Sequence, residues 1–153
     1  MPWKKILVPV HGDDSDANAL RLACDLVKET KGKVYLVYVI EVPHHLPLDS
    51  DVSAESGKGE EVLRQMEGLA KEYKGTVEAA MLQARDTGPA IVQEAVERQV
   101  DLVLLAVPYQ EHHGGFTLGR AAPHVLKYAP CPVLLWRLEM PPGEQAAKLA
   151  GRV

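Results

Sequence analysis

Three histidines and two aspartates stand at loop positions from which side chains can take part in chemistry. His11 precedes Asp13 and Asp14, and His112 is followed directly by His113 much later in the chain. Imidazole nitrogens commonly bind transition metals, and carboxylates bind Mg²⁺ or transfer protons. No cysteine or carboxylate spacing supplies the remaining ligands of a tetrahedral site, so we expect no metal. The histidines are interpreted as solvent-facing loop residues, with contact to an anion or nucleotide as the alternative.

The acidic residues near the start of the chain also suit a structural role. Asp13, Asp14, Ser15 and Asp16 all carry side-chain oxygens that can cap the N-terminus of a helix. Capping explains Asp13 and Asp14 more simply than catalysis does. The sequence contains no Gly-x-Ser-x-Gly nucleophile motif, and no nucleophile is paired with an evident base.

Glycines cluster in the loop that holds the adjacent histidines. Gly114, Gly115 and Gly119 can adopt positive φ angles in tight turns, or can let the backbone approach a phosphate. Their spacing does not decide between these two roles. Neither the Walker signature nor a Gly-x-Gly-x-x-Gly fingerprint after the first strand is present.

Short apolar runs alternate with segments of helical periodicity along the chain. The apolar runs predict five strands, at residues 6–10, 34–42, 76–82, 101–107 and 133–136. Helices are predicted between them, from the candidate caps to Gly32, from residue 62 to a stop at Gly75, from 87 to 96, and at 119–129. The alternating third strand is expected at a sheet edge. Residues 43–56 and 108–118 are predicted as loops.

This alternation predicts an α/β fold in which a parallel sheet is covered by helices on both faces. Right-handed crossovers restrict the topology to doubly wound forms. With a strand order of 3-2-1-4-5, the order reverses between strands one and four. Ligands of such sheets bind at the carboxyl ends of the strands at this reversal, here the loops 10–14 and 107–119.

Composition limits the functional classes. The 153 residues are 46% hydrophobic and 25% charged, with a net charge of −4 and no run of Lys or Arg, so no nucleic-acid partner is expected. No apolar stretch approaches the roughly 20 residues that span a bilayer, and no signal peptide is evident, so we expect a cytoplasmic protein with no membrane partner. Cys24 and Cys131 are expected to be reduced thiols. Residues 1–138 are predicted as one domain, followed by a mobile tail at 139–153.

Several segments of the chain resemble the universal stress protein family. Residues 6–12, Ile-Leu-Val-Pro-Val-His-Gly, are similar to the family's opening Ile-Leu-Val-Pro-Val-Asp-Gly. Residues 101–105 resemble its fourth strand, and residues 125–137 resemble its closing segment. The stretch Ala-Pro-Cys-Pro-Val at 129–133 is the most specific of these. Together the matches cover residues 4–137.

The resemblance implies a Rossmann-like, five-stranded sheet with about four helices and an ATP site built on Gly-x-x-Gly-x9-Gly-Ser/Thr. Ala106, Tyr109, Gly119 and Arg120 stand at the four motif positions, so the spacing is kept while three identities are lost. His11 replaces the family's nucleoside-facing Asp. Arg120 either obstructs the phosphates or binds them. The positions that the resemblance assigns to a nucleotide are Pro9, Val10, His11, Val39, Ala106, Tyr109, His113, Gly114, Gly119, Arg120 and Ala121.

The resemblance further implies a homodimer formed through the edge of the fifth strand, residues 132–137, whose first and last members are Pro132 and Arg137. We interpret the chain as a non-catalytic stress-response or regulatory domain that acts as a dimer through unknown protein partners. It would bind ATP, another nucleotide or an anion at the reversal point, with Mg²⁺ only alongside a nucleotide. The alternatives are a slow Mg²⁺-dependent nucleotide hydrolase, for which Asp13, Asp14 and His113 are the only candidates, and a ligand-free interaction scaffold.

Overall fold

The fold was analysed in a computed structural model, which describes residues 2–73 and 76–143. Its main sheet contains β1 (Lys5–Val10), β2 (Lys33–Glu41), β3 (Val77–Ala84), β4 (Leu102–Val107) and β7 (Val133–Arg137). A separate hairpin contains β5 (Glu111–His112) and β6 (Gly115–Phe116). The helices are α1 (Ser15–Val27), α2 (Ser53–Leu69), α3 (Thr87–Arg98) and α4 (Ala121–Tyr128), with a 3-10 turn at Ala70–Tyr73.

The main sheet is parallel throughout and has the order β3-β2-β1-β4-β7. Because β7 is the fifth strand of this sheet in chain order, the predicted order 3-2-1-4-5 and the doubly wound α/β class are confirmed. The half-polar third strand lies at a sheet edge, as predicted. No helix in the described part of the chain combines the length and the apolar character needed to cross a membrane.

Burial on both faces explains why the central strands do not alternate. Within β1, Ile6 and Val8 belong to the apolar cluster beneath α1 and α2, whereas Leu7 belongs to the cluster beneath α3 and α4. All three are fully buried. The interior positions of the central strands therefore meet apolar layers on both faces, and the sequence shows a continuous apolar run.

The region after β2 differs from the sequence prediction. Residues 43–56 were predicted as a loop, but α2 already begins at Ser53. Ser53, Ala54 and Glu55 are exposed, so this first turn carries no apolar stripe from which a helix could be recognised. The α-helix ends at Leu69, and the 3-10 turn follows it directly. The predicted stop of this helix, Gly75, lies outside the described residues.

The segment after β4 also contains structure that was predicted as loop. Glu111 pairs with Phe116, and His112 with Gly115, in an antiparallel hairpin. His113 and Gly114 form its tip with φ angles of 53° and 77°. A two-residue turn with both φ angles positive matches the twist of paired strands, and histidine is an uncommon residue there. The fourth helix begins at Ala121 rather than at residue 119, because Gly119 has a φ of 78° that no right-handed helix accepts. Of the predicted tail, residues 144–153 lie outside the described part.

Candidate functional site

A cleft of about 260 Å³ opens at the carboxyl ends of β1 and β4, where the strand order reverses. This is the position at which doubly wound sheets bind ligands. Its walls are mainly apolar. They combine strand residues such as Val10, Val39 and Leu105 with Ile91 of α3. Polar side chains stand around this apolar floor: His11, Asp13, Thr87, Gln110 and Arg120.

Eight of the eleven positions assigned to a nucleotide line this cleft, and their role in binding remains a prediction. They are Pro9, Val10, His11, Val39, Ala106, Gly119, Arg120 and Ala121. Tyr109, His113 and Gly114 are not among the lining residues.

The loop after β1 is braced by Asp16. The Asp16 side chain is only 2% exposed. Its carboxylate accepts hydrogen bonds from the backbone N–H of Gly12 at 2.7 Å and of His11 at 3.1 Å. Burial raises the pKa of Asp16, while the Gly12 N–H and the nearby His11 oppose this shift. The loop therefore holds its shape by directing its own donors onto a buried carboxylate.

The His11 side chain is held by its neighbours on the same loop. Nε2 of His11 lies 2.6 Å from Oδ2 of Asp13 and 3.3 Å from Oγ of Ser15. Oδ1 of Asp13 accepts from the Ser15 N–H at 2.8 Å and from the Ser15 hydroxyl. Ser15 is 1% exposed, so its hydroxyl cannot reach a substrate as a nucleophile.

The predicted capping role of the aspartates holds only in part. Asp14 is the N-cap residue of α1, but its side chain makes no capping hydrogen bond. Asp13 instead accepts from Ser15 at the start of the helix, and Asp16 turns back onto the loop. Four consecutive oxygen-bearing side chains look alike as caps in sequence, and only the backbone path separates their roles.

One set of three metal-ligating side chains occurs within residues 2–73 and 76–143. His11, Asp13 and Asp16 each offer a ligand atom, and these atoms lie within 4.8 Å of one another. This set was not predicted from the sequence, because Asp16 was interpreted only as a candidate helix cap and not as a neighbour of His11 and Asp13. Both oxygens of Asp16 already accept backbone hydrogen bonds, and Asp13 accepts from Ser15. The three side chains therefore brace the loop through contacts within the chain.

The other two histidines lie away from the cleft lining. His112 and His113 are exposed, as expected, and their rings meet edge to face with centroids 4.2 Å apart on the hairpin. Tyr109, which stands at one of the four motif positions, packs beside this hairpin. Its ring lies 5.6 Å from that of Phe116 and 5.3 Å from the guanidinium of Arg137.

The Arg120 guanidinium pairs with two carboxylates that do not line the cleft. Its side chain is 81% exposed, and Nη2 lies 3.6 Å from Oε2 of Glu41 and 3.8 Å from Oδ1 of Asp86. Glu41 itself accepts from the N–H of Thr87 at 3.2 Å and from its hydroxyl at 2.7 Å. We call Glu41, Asp86 and Arg120 the charged trio. A second depression of about 380 Å³ lies over the trio and shares Thr87, Arg120 and Ala121 with the cleft.

Sequence analysis missed the two acidic members of the trio. Glu41 closes the apolar run of β2, and Asp86 directly precedes α3. Both therefore stand at the carboxyl side of strands, which is the one sequence signal that could have identified them.

Comparison with known proteins gives a consistent result. The sequence profile of the universal stress protein family matches residues 2–137. A universal stress protein of Methanocaldococcus jannaschii is 29% identical over 139 residues, which is 87% of this chain and 81% of that protein.

Solved structures share the fold. UspA from Lactobacillus plantarum superimposes with a TM-score of 0.72 at 24% identity, covering 90% of this chain and 99% of that one. The universal stress protein from Archaeoglobus fulgidus in complex with dAMP gives a TM-score of 0.68 at 19% identity, covering 88% and 98%.

Proposed function

The chain belongs to the universal stress protein family, and from that premise we propose that it is a non-catalytic regulatory domain whose cleft binds a nucleotide or nucleoside and which acts as a homodimer. The observation that carries this proposal is the cleft at the reversal of strand order, with an apolar floor and a polar rim. The Archaeoglobus fulgidus structure was solved with dAMP.

The lining of the cleft suits a flat heteroaromatic base. Val10, Val39 and Ile91 offer apolar surface for its faces, while His11 and Gln110 offer polar atoms to its edge. Ligand sites combine a mainly apolar wall with a few polar groups in this way, and typical volumes run from about 300 to 1,000 Å³. A cleft of about 260 Å³ is slightly smaller than this range, which favours a ligand no larger than one nucleoside.

Binding without turnover is supported by how the chemically capable groups are used. Asp13 and His11 contact each other, and Asp16 holds the loop backbone. Asp14 and His113 are the other two candidates of the hydrolase alternative, and neither is among the lining residues of the cleft. A hydrolase needs a group that positions water beside the phosphates, and no residue in this arrangement is committed to that task.

Dimerisation is supported by the exposed edge of β7. Leu134 and Trp136 share one face of this strand and are 39% and 37% exposed. An apolar edge strand presents unpaired backbone groups to solvent, and pairing with a second copy would satisfy them. Residues 132–137 therefore remain the proposed dimer edge.

The ligand proposal is tested by thermal unfolding of the full chain with adenosine, AMP, ADP and ATP, each with and without Mg²⁺. Ligand at about 100 times its Kd stabilises the native state by about 2.7 kcal/mol, which raises the Tm by several degrees. Val39→Phe should fill the cleft and abolish the shift, and Val96→Phe, on the exposed face of α3, should keep it. A wild-type Tm that none of these compounds moves would overturn the proposal.

A further inference from the structure

We infer that the cleft prefers an uncharged nucleoside to a nucleoside triphosphate. The inference rests on the proposed function, because it concerns the charge that the ligand of the same cleft can carry. It follows from three features: the use of the backbone donors, the balance of charge around the cleft, and the surface onto which a phosphate chain would extend.

Three backbone donors in and beside the loop after β1 are already occupied. The N–H groups of His11 and Gly12 donate to the Asp16 carboxylate, and that of Ser15 donates to Asp13. Loops that bind phosphate direct such N–H groups at the ligand. Here these three groups donate to carboxylates of the chain itself, so a phosphate that approached them would meet carboxylate acceptors.

The loop that precedes α4 is closed in the same way. The N–H of Gly119 donates to Oγ1 of Thr117 at 3.0 Å, and the N–H of Thr117 donates to the carbonyl of Gln110 at 3.1 Å. A glycine at position 119 would allow close approach of a phosphate, but its N–H is directed to a side chain of its own loop. Among the side chains that line the cleft, the guanidinium of Arg120 is the one permanent cation that can attract an anion.

Carboxylates outnumber cations around the cleft. Asp13 stands at one end, and Glu41 and Asp86 flank Arg120 at the other. The linings of the cleft and of the adjoining depression therefore hold three carboxylates and one guanidinium, and two of these carboxylates already share the guanidinium. A triphosphate brings several further negative charges into this field, whereas a nucleoside brings none, so electrostatic repulsion selects against the triphosphate.

The route out of the cleft past Arg120 leads onto the same carboxylates. The adjoining depression is lined by Glu41 and Asp86 together with Gly88 and His124. A phosphate chain that left the cleft on this side would lie against the charged trio and would have to displace Glu41 and Asp86 from Arg120. A nucleoside ends before this point and leaves the trio intact.

The experiment is isothermal titration calorimetry of the full chain with adenosine, guanosine, cytidine and uridine and with their 5′-triphosphates, with and without Mg²⁺. For at least one base, the nucleoside should bind ten-fold or more tightly than its triphosphate. The double variant Glu41→Gln/Asp86→Asn keeps the hydrogen-bonding oxygens and removes both charges. It should bind the triphosphate at least ten-fold more tightly than wild type, and the nucleoside within about three-fold of wild type.

A matched control separates this effect from net charge. Glu60→Gln/Glu61→Gln also removes two negative charges, but from the exposed face of α2. It should leave the affinities for the nucleoside and the triphosphate unchanged. A triphosphate that binds wild type as tightly as its nucleoside would overturn the inference and leave the proposed function standing. An unchanged preference in Glu41→Gln/Asp86→Asn would also overturn it. Absence of binding by every nucleoside and nucleotide would instead refute the proposed function.

Discussion

Asp16 illustrates how one buried side chain shapes the candidate site. It lies in the first turn of α1, yet its carboxylate points back to the backbone of residues 11 and 12 rather than along the helix. A buried carboxylate is tolerable only when hydrogen bonds replace its lost hydration. Sequence alone presented Asp16 as one of four equivalent caps, because its partners are defined by a turn that forms only when α1 packs on β1.

Replacement of Asp16 by Ala should therefore destabilise the protein by about 2–3 kcal/mol, since it leaves the N–H groups of His11 and Gly12 without their acceptor. The measurement is urea denaturation at pH 7. Asp14→Ala is the control: Asp14 is exposed and makes no capping bond, so its loss should cost less than about 0.5 kcal/mol. A loss of stability in Asp16→Ala as small as that in Asp14→Ala would show that these hydrogen bonds do not stabilise the folded protein.

The two cysteines should differ in reactivity. Both are free; Cys24 is buried and Cys131 is half-buried. Burial raises the pKa of both thiols, that of Cys24 from 9.0 to about 11, and Cys24 is in addition only 1% exposed. Because the thiolate is the reactive form, native protein at pH 8 should release only the Cys131 equivalent with a disulfide reagent such as DTNB, and unfolded protein should release both. Rapid release of two equivalents from native protein would contradict the buried position of Cys24.

The same pKa shift gives a stability effect with a defined sign. The folded state holds the Cys24 proton more tightly than the unfolded chain does. The contribution of the protonated Cys24 thiol to the free energy of unfolding is therefore complete below pH 9.0 and is lost as the pH rises towards 11. Comparison of wild type with Cys24→Ala by urea denaturation should show wild type losing more stability than the variant across this window. An equal dependence of the free energy of unfolding on pH in wild type and in Cys24→Ala would argue against a raised pKa of Cys24.

At the scale of elements, apolar patterning was sufficient for the strands and insufficient for the loops. Strands such as β1 and β4 are buried on both faces, so their continuous apolar runs identified them. The first turn of α2 is polar and exposed, and the hairpin β5–β6 is too short to show a period. Such segments are fixed by backbone hydrogen bonds and tertiary contacts, which leave little trace in residue type.

Arg85 shows how such a tertiary contact fixes a loop. It follows β3 and donates to the carbonyl oxygens of Pro43 at 2.6 Å and Leu46 at 2.7 Å. These bonds fasten the segment between β2 and α2 to the end of the edge strand.

Arg85→Ala should release this loop and expose it to proteases. Leu48 is 47% exposed, so chymotrypsin should cleave after it several-fold faster in the variant than in wild type. Arg64→Ala is the matched control, because Arg64 is exposed and pairs with Glu61 on α2. Equal cleavage rates in wild type and Arg85→Ala, read by mass spectrometry, would contradict this function of the guanidinium.

At the scale of the whole molecule, the site depends on residues that only the folded sheet brings together. The positions after β1 and β4 were predictable, because family motifs and the reversal of strand order both indicate them. Glu41 and Asp86 were not, because they come from the end of β2 and the start of α3 and meet Arg120 only after assembly. The sequence thus indicated where the cleft lies, but the balance of charge around the cleft could be determined only from the structure.

The edge of β7 gives the prediction that belongs to this scale. Leu134→Lys places a charge on the exposed face of the proposed dimer edge and should shift the protein from dimer to monomer. Sedimentation velocity at tens of micromolar measures the change. Val96→Lys, on a side chain that is 55% exposed on α3, should remain dimeric. Wild-type protein that sediments as a monomer would remove the proposed dimer.

The packing of Tyr109 against Arg137 joins the segment beside the cleft to the last residue of β7. Ligand and partner would then meet surfaces that share one contact. Suppose that a bound ligand changes the affinity of this edge for a second copy by some factor. Thermodynamic linkage then requires that dimerisation changes the affinity for the ligand by the same factor. Through the Tyr109 ring, the fraction of clefts occupied at a given ligand concentration would then depend on the concentration of the protein itself.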